Sequence, residues 1–482
     1  MLERFYQMPL PRNIYLLDPK KLNPETIAVA FAKTSRSPLS FQQIADELSD
    51  EKSADFHEKW VVGYGHSSVA EHAVLHIAVE NISRLAVECL ESNRLASYTE
   101  KSSRYQIWDR DYFYIPTELR NSHLQQDYIQ TMGLLFDHYR ESVKAVEEYL
   151  QRTELKISGE NDRVFQHRLR TRTTDACRYY LPASALANVG ISINARALEH
   201  AIQKMLSHPL SEVRQIGKEI KAVAQENVPT LIKYAHENPY LMESPEQINM
   251  PVQLSQFSDA ETADWLHCVD CDKDGTNRVL AAVWYRYGGM SFTEAYDSLR
   301  DSTEPVKMKI ANQLLGRLSE HDIPLRELEY AAVSYDLVID QGAYFELKRH
   351  RMMTQTPQDL TTYLGFAVPK LLVQAGLGDQ FVSDMSIVVS HYEKIAAVSS
   401  HAAGYLVPNA FNRRVFLQMN LRSAHHLIRL RTASNAHFAI RRPVLRIAEE
   451  IQKTFPLFAP YFKPKSGENW RCLTSDYFER TR

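Results

Sequence analysis

A chain of 482 residues is longer than a single hydrophobic core usually serves, so two domains are expected. With 44% hydrophobic and 24% charged residues it has the composition of a folded globular protein, which argues against disorder. A formal charge of −3 excludes a general attraction for phosphate backbones, and five scattered cysteines exclude a secreted disulfide scaffold.

The first residues, MLERFYQMPLPRNIYLLDPKK, hold no apolar run behind a basic stretch, and no apolar run long enough to span a bilayer follows. A cytoplasmic protein without a membrane span is expected. Ala73 to Val79 (AVLHIAV) alternates like a strand, whereas Leu119 to Leu150 and Ala197 to Tyr234 repeat apolar residues three or four apart, like amphipathic helices. Between Glu237 and Asp259 the chain turns polar and Pro-rich, the composition of a linker. A boundary near residue 250 divides a first domain, residues 1–250, from a second, 251–482. Beyond it, Cys268 and Cys271 form a CxxC with no second pair at suitable spacing. Asp270, Asp272, Asp274 and Gly275 begin like a calcium loop, but Ala281 stands where a bidentate Glu is needed, so a surface turn and no metal site are expected. Ala331 to Ile339 is a further alternating strand, and strands that each feed a helix make an α+β fold.

The two halves resemble each other. Glu71-His72, the stretch Ser92 to Tyr105, Arg178 to Pro182 and Asn194-Ala-Arg196 are answered by Leu328-Glu329, Lys348 to Tyr363, Gly404 to Pro408 and Asn420-Leu-Arg422, while Ser83-Arg84 of the first half has no such counterpart. Pro182 and Pro408 each precede the Asn-x-Arg triplet by 12 residues, and 22 residues separate both His72 from Arg94 and Glu329 from Arg351. Such spacings imply a tandem duplication.

Arg349-His350-Arg351 in the second half, and Ser97-x-Thr99-Glu100-x-Ser102-x-Arg104-Tyr105 in the first, resemble the two ends of one signature. It is that of the flavin-dependent thymidylate synthases, Arg-His-Arg followed by Ser-x-Asn-x-x-Ser-x-Arg-Tyr, with Thr99 in place of Asn. Gly65-His66 with Glu71-His72 resembles the family's Gly-His-x-x-x-x-Glu-His, and Asn194-Ala-Arg196 its Asn-Ala-Arg. The resemblance implies two tandem thymidylate synthase-complementing-protein-like domains, each a mixed sheet with long helices. It also implies a tetramer of such units with flavin and nucleotide at their contacts, hence a homodimer of this fused chain. The implied reaction methylates dUMP, with methylene-tetrahydrofolate as carbon source, FAD as hydride carrier and NADPH as reductant. The expected partner is therefore a pyrimidine nucleotide, not a membrane or a nucleic acid.

A nucleotide phosphate calls for guanidinium forks, which Lys cannot replace. By the resemblance, Glu100, Ser102, Arg104, Arg178 and Arg349 would hold the nucleotide. Arg431, eleven residues after Asn420, would be the catalytic residue that helps ionise the ring. The corresponding position in the first half is Met205, which cannot stabilise negative charge. His72, Arg94, Asn194, Arg196, His350, Arg351, Asn420, Arg422 and His426 would contact the flavin. The losses are complementary: the first half has Ser92-Asn93-Arg94 for Arg-His-Arg, and the second has Pro357, Asp359, Thr361 and Gly404 for the nucleotide group. One composite site per chain is expected, beside a degenerate twin. Glu346, where the family has Gln, departs from the pattern and would repel a phosphate unless Arg349 or Arg104 intervenes.

Plainer readings stand beside these. Arg349-His350-Arg351 fits a solvated basic turn, Glu100 to Arg104 a set of surface ion pairs, Arg178 a cation stacked on Tyr179 and Tyr180, and Met205 a core residue. Two other functions stay open: nucleotide or flavin binding without catalysis, and modification of another uridine, including one in RNA. The latter is suggested by the density of Arg413, Arg414, Arg422, Arg429, Arg431, Arg441 and Arg442.

Overall fold

The computed structural model describes residues 17, 19–34, 37, 39–48, 50–59, 67–248 and 264–481, so Gly65-His66 and the part of the expected linker beyond residue 248 lie outside the described residues. Each half is built on a small sheet with a long strand at its centre. In the first, β3 (Leu186–Asn194) lies between β1 (Val74–Ser83) and β2 (Ala96–Glu100). In the second, β8 (Asn412–Asn420) lies between β5 (Ala332–Asp340) and β6 (Thr354–Pro357), and β4 (Leu266–Cys271) adds to the far edge of β5. β7 (Val368–Pro369) pairs with β9 (Phe478–Arg480). Every pairing among the described strands is antiparallel, where a mixed sheet was expected. Alternation explains the central strands: Ala187, Val189, Ile191 and Ile193 on β3, and Val415, Leu417 and Met419 on β8, are buried.

The stretch Leu119 to Leu150 appears as the helix His123–Thr153. The stretch Ala197 to Tyr234 is two helices, Ala195–Leu206 and Ser211–Gln225, because Pro209 cannot donate the amide that continuation needs. Part of the Pro-rich segment is helical, Pro239–Ile248. Cys268 and Cys271 lie on β4, not in a turn; the turn begins at Asp272 and passes into the helix Gly275–Gly288.

Strand register makes the internal repeat quantitative. Val74 pairs with Asn194 as Ala332 pairs with Asn420, and Ser83 pairs with Leu186 as Asp340 pairs with Asn412. β1 therefore carries one residue more than β5. The register shifts between Val79 and Ile82, where Asn81 takes the left-handed conformation (φ 57°) that Asn tolerates. Glu329 thus corresponds to Glu71, not to His72, and the equal spacings of 22 residues arise from matching across this bulge. Arg196 pairs with Glu71 and Arg422 with Glu329, the latter at 2.7 Å, so the same ion pair recurs in both halves.

The halves meet about a pseudo-two-fold axis. Pro182 and Pro408, equivalent in the repeat, form a β-bridge with each other. Around it, the Ala183 amide donates to the Val407 carbonyl at 2.9 Å and the Asn409 amide to the Leu181 carbonyl at 3.0 Å. This is the reciprocal pattern of an isologous dimer contact, formed within one chain. One contiguous apolar core draws on both halves, including Tyr179, Tyr180, Phe381 and Phe411. No helix among the described residues is long and apolar enough to cross a membrane.

Candidate functional site

Arg178 sits in the single helical turn Arg178–Tyr180 that ends the helix Asp162–Cys177, and it is almost wholly buried. The turn aims its guanidinium across the two-fold axis into the second half. There Nη2 donates to the Gly342 carbonyl at 2.7 Å, and Nη1 lies 3.9 Å from the Glu346 carboxylate. Glu346 belongs to the short helix Gln341–Leu347, which Asp340 caps by accepting the Ala343 amide at 2.8 Å. From the end of the helix Leu421–Arg431, Arg431 places Nη1 2.7 Å from the other oxygen of Glu346. Its Nε donates to His350 Nε2 at 2.9 Å.

Glu100, at the end of β2, is buried between Arg84 at 3.5 Å and Arg349 at 3.3 Å. Arg104 holds Asp175 through both forks, at 2.7 and 2.8 Å, and donates to the Asn435 carbonyl of the second half at 3.1 Å. The Ser102 hydroxyl accepts from the Arg104 amide at 3.3 Å and so shapes this turn. The structure therefore brings Glu100, Ser102, Arg104 and Arg178 of one half together with Arg349, His350 and Arg431 of the other.

Charge decides the state of this cluster. Burial would raise the Glu346 carboxyl, but Arg178, Arg349, Arg431 and Arg104 outweigh it and hold its pKa below the ordinary value. Glu100 is likewise kept ionised against burial by Arg84, Lys348 and Arg349. Burial first, then Arg431 and His426, push His350 down to about 3, so it is neutral and accepts at Nε2 with its proton on Nδ1. Five guanidiniums, those of Arg84, Arg104, Arg178, Arg349 and Arg431, face the three carboxylates of Glu100, Asp175 and Glu346. Asp340 also acts on Arg178, so the cations outnumber the carboxylates by a smaller margin and suit an anion such as a phosphate monoester.

Three contributors had no assigned role in the sequence. Arg84 is buried over the Phe345 ring at 4.1 Å, and its Nε and Nη1 have no hydrogen-bond partner among the described residues; Gln341 holds the equivalent position, so the repeat did not single Arg84 out. Asp175 and the buried His437, whose ring nitrogen bonds the Asp175 carbonyl at 3.1 Å, lock Arg104 to the second half. Only tertiary contact reveals them.

The residues expected around a flavin fall in three places. His350, Asn420, Arg422 and His426 line one cavity of about 570 Å³ together with Met352 and His425. Asn420 also caps the helix Leu421–Arg431, as Asn194 caps Ala195–Leu206, each by accepting an amide three residues on. Arg94 and Arg351 form a reciprocal pair across the pseudo-two-fold: Arg94 donates to the Met353 carbonyl at 3.2 Å, and Arg351 to that of Ala96, the equivalent position. His72, Asn194 and Arg196 lie together at the far end of the first sheet, His72 against Phe31 and Arg196 on Glu71. Met205 is buried against the helix Ser211–Gln225, where a Cβ on Gly217 would meet it at 2.8 Å. It packs a core and faces no arginine cluster.

The arginine-dense stretch 413–442 is not an exposed basic patch. All seven of its arginines named above are buried or half-buried. Arg413 pairs with Glu88, Arg414 with Asp336, Arg422 with Glu329, Arg431 with Glu346 and Arg441 with Glu468.

Comparison with known proteins agrees with this architecture. The chain is similar over 433 residues to a protein of Chlamydia muridarum described as a UPF0159 protein, with 28% identity, covering 86% of this chain and 82% of that one. It is 26% identical to a flavin-dependent thymidylate synthase of Clostridium tetani over 214 residues, 44% of this chain but 82% of that shorter one. A solved flavin-dependent thymidylate synthase of Helicobacter pylori, complexed with FAD and dUMP, matches 45% of this chain and 96% of its own, with 19% identity and a TM-score of 0.28, too low to support any inference. The family model of the thymidylate synthase complementing protein matches twice, over residues 16–230 and 268–457, one match to each half of the repeat, and the chain belongs to that family.

Proposed function

We propose that the chain is a flavin-dependent methyltransferase acting on a pyrimidine nucleotide, dUMP or a close relative, at one composite site per chain formed between two domains, 1–250 and 251–482. The carrying observation is the convergence of Arg104 and Arg178 from the first half with Arg349 and Arg431 from the second. In this reading Arg104, Arg178 and Arg349 bind the phosphate, with Glu100 and Ser102 fixing the forks. Arg431, oriented by Glu346 and His350, stabilises charge that develops on the pyrimidine ring.

The cavity that His350 shares with Asn420, Arg422 and His426 adjoins this cluster through the His350–Arg431 hydrogen bond. Neutral imidazoles and methionines suit a planar ring, and the cations of its wall are largely balanced by Glu320, Asp322 and Glu329. These residues would hold the isoalloxazine of FAD, which when bound and reduced would supply the hydride that converts the one-carbon unit given by methylene-tetrahydrofolate into a methyl group, with NADPH as the reductant that restores it. His72, Asn194 and Arg196 lie away from that cavity, and in a homodimer they would serve the flavin of a second copy.

The test is turnover of dUMP with methylene-tetrahydrofolate and reduced FAD. Arg178→Ala and Arg431→Ala should each lower kcat/KM by about 100-fold or more, the scale of a lost preorganised donor. Met205→Ala should leave kcat unchanged while costing about 2 kcal/mol or more of stability. The grip of Glu346 on Arg431 favours a second reading, nucleotide binding without methyl transfer. In that case Arg178→Ala abolishes dUMP binding, yet the wild-type chain forms no dTMP.

A further inference from the structure

The pseudo-two-fold that assembles the arginine cluster carries it onto a second location in the same chain. There Cys89 stands for Glu346, Ser92 for Arg349, Pro357 for Glu100 and Gly404 for Arg178, by the register of the paired strands. Smaller side chains could have let the walls close. Instead a cavity of about 530 Å³ remains, within the range of small-molecule pockets, lined by these replacements and by a new set of charges.

Those charges are not balanced. Lys204 is mostly buried, and its ammonium donates to Ser92 Oγ at 2.5 Å and Asn93 Oδ1 at 2.9 Å; among the described residues no carboxylate pairs with it. Ser92 and Asn93 are themselves the substitutes for Arg349 and the neutral His350, so the lost pair has given way to acceptors for a lysine from the helix Ala195–Leu206. Arg94 and Arg351 also line this cavity, and their bonds go to neutral oxygens. The other cations are paired, Arg413 with Glu88 at 2.7 Å and Lys348 with Glu91 at 2.8 Å. Asp359, beside His208, is the one lining carboxylate without a cation. Among the described residues, three uncompensated cations against one carboxylate leave an excess of two positive charges around this cavity; Lys204 and Arg351 are half-buried and Arg94 is exposed, and a bound anion would pair with them.

We infer that the degenerate twin is a second ligand pocket, which takes a small organic dianion, phosphate- or carboxylate-bearing, on Lys204, Arg94 and Arg351. It lacks the guanidinium cluster proposed to hold the nucleotide, so its ligand is distinct. The claim stands on this cavity alone and does not require the first site to be catalytic.

Calorimetry on the full chain at low salt tests it, with glycerol phosphate and succinate as parallel probes that separate the phosphate from the carboxylate source. Lys204→Ala should weaken one binding event at least tenfold for the favoured probe. Gly404→Met should abolish the same event by filling the cavity; Gly404 has φ −56°, and its Cβ would meet only ordinary contacts at 3.6 and 3.7 Å, so the chain should fold. Arg178→Ala should spare that event and remove any binding at the arginine cluster. If both Lys204→Ala and Gly404→Met bind both probes as the parent does, the inference is overturned. If instead Arg178→Ala alone leaves dUMP binding unchanged, the proposed nucleotide site fails and this one stands.

Discussion

Glu346 shows how one substitution can reset a site. A carboxylate among four guanidiniums neutralises charge that an incoming phosphate would otherwise use, and it fixes Arg431 at 2.7 Å. Glu346→Gln removes one negative charge while keeping the shape, and should tighten nucleotide binding about tenfold, about 1.4 kcal/mol, as read by calorimetry with dUMP. Unchanged affinity would place the phosphate elsewhere. His350 gives a pH signature. Its folded pKa of about 3 lies below the unfolded value of 6.5, so the unfolded chain binds the extra proton between those values. The stability contributed by neutral His350 is complete above about pH 6.5 and is lost progressively as pH falls toward 3. Relative to the parent, His350→Gln should flatten the decline of chemical-denaturation stability between pH 6 and pH 4. The residue types at Arg349, Arg431 and Arg178 could be read from the chain, whereas the pairing of Glu346 with two of them could not, because it depends on which helix faces which.

At the scale of elements, the repeated triplet Asn-x-Arg has a structural role that its flavin assignment overlooked. Asn194 and Asn420 end the central strands β3 and β8 and cap the helices that follow, and the Arg two positions on meets a Glu at equivalent positions, Glu71 or Glu329. A side chain that satisfies an orphan amide at a helix start contributes about 1 kcal/mol. Asn194→Ala should therefore lower stability by about that amount and weaken flavin only in the homodimer, while Asn420→Ala should lower both in either state, since Asn420 also lines the cavity beside His350. Thermal melts and flavin titrations separate the two effects. The two strands read from alternation, Ala73 to Val79 and Ala331 to Ile339, are β1 and β5 to within a few residues, whereas the central strands β3 and β8 were not singled out. The bulge at Asn81 was not, because an extra residue in one strand leaves alternation intact on either side and appears only in the register of its partner.

At the scale of the molecule, the chain encloses within itself a contact that separate subunits would otherwise have to make. Two copies of one unit bridge through Pro182 and Pro408, and each of the two symmetry-related clefts between them has kept a different set of charges. One dUMP per chain is the expected stoichiometry, and two equivalent sites by calorimetry would contradict the composite arrangement. Sedimentation should report a homodimer, which would bring the exposed His72 and Arg196 against a second copy; a monomer that retains full flavin affinity would argue against that role.

The sequence alone determined the α+β class, the duplication and the chemical types gathered in each half, because periodicity, caps and spacing are local properties of the chain. It could not determine that the two half-signatures converge, that Arg84, Asp175 and His437 join them, or that the abandoned twin remains an open, charged cavity. Those outcomes depend on the packing of segments more than 150 residues apart, and a Coulomb interaction follows distance in space, not distance along the chain.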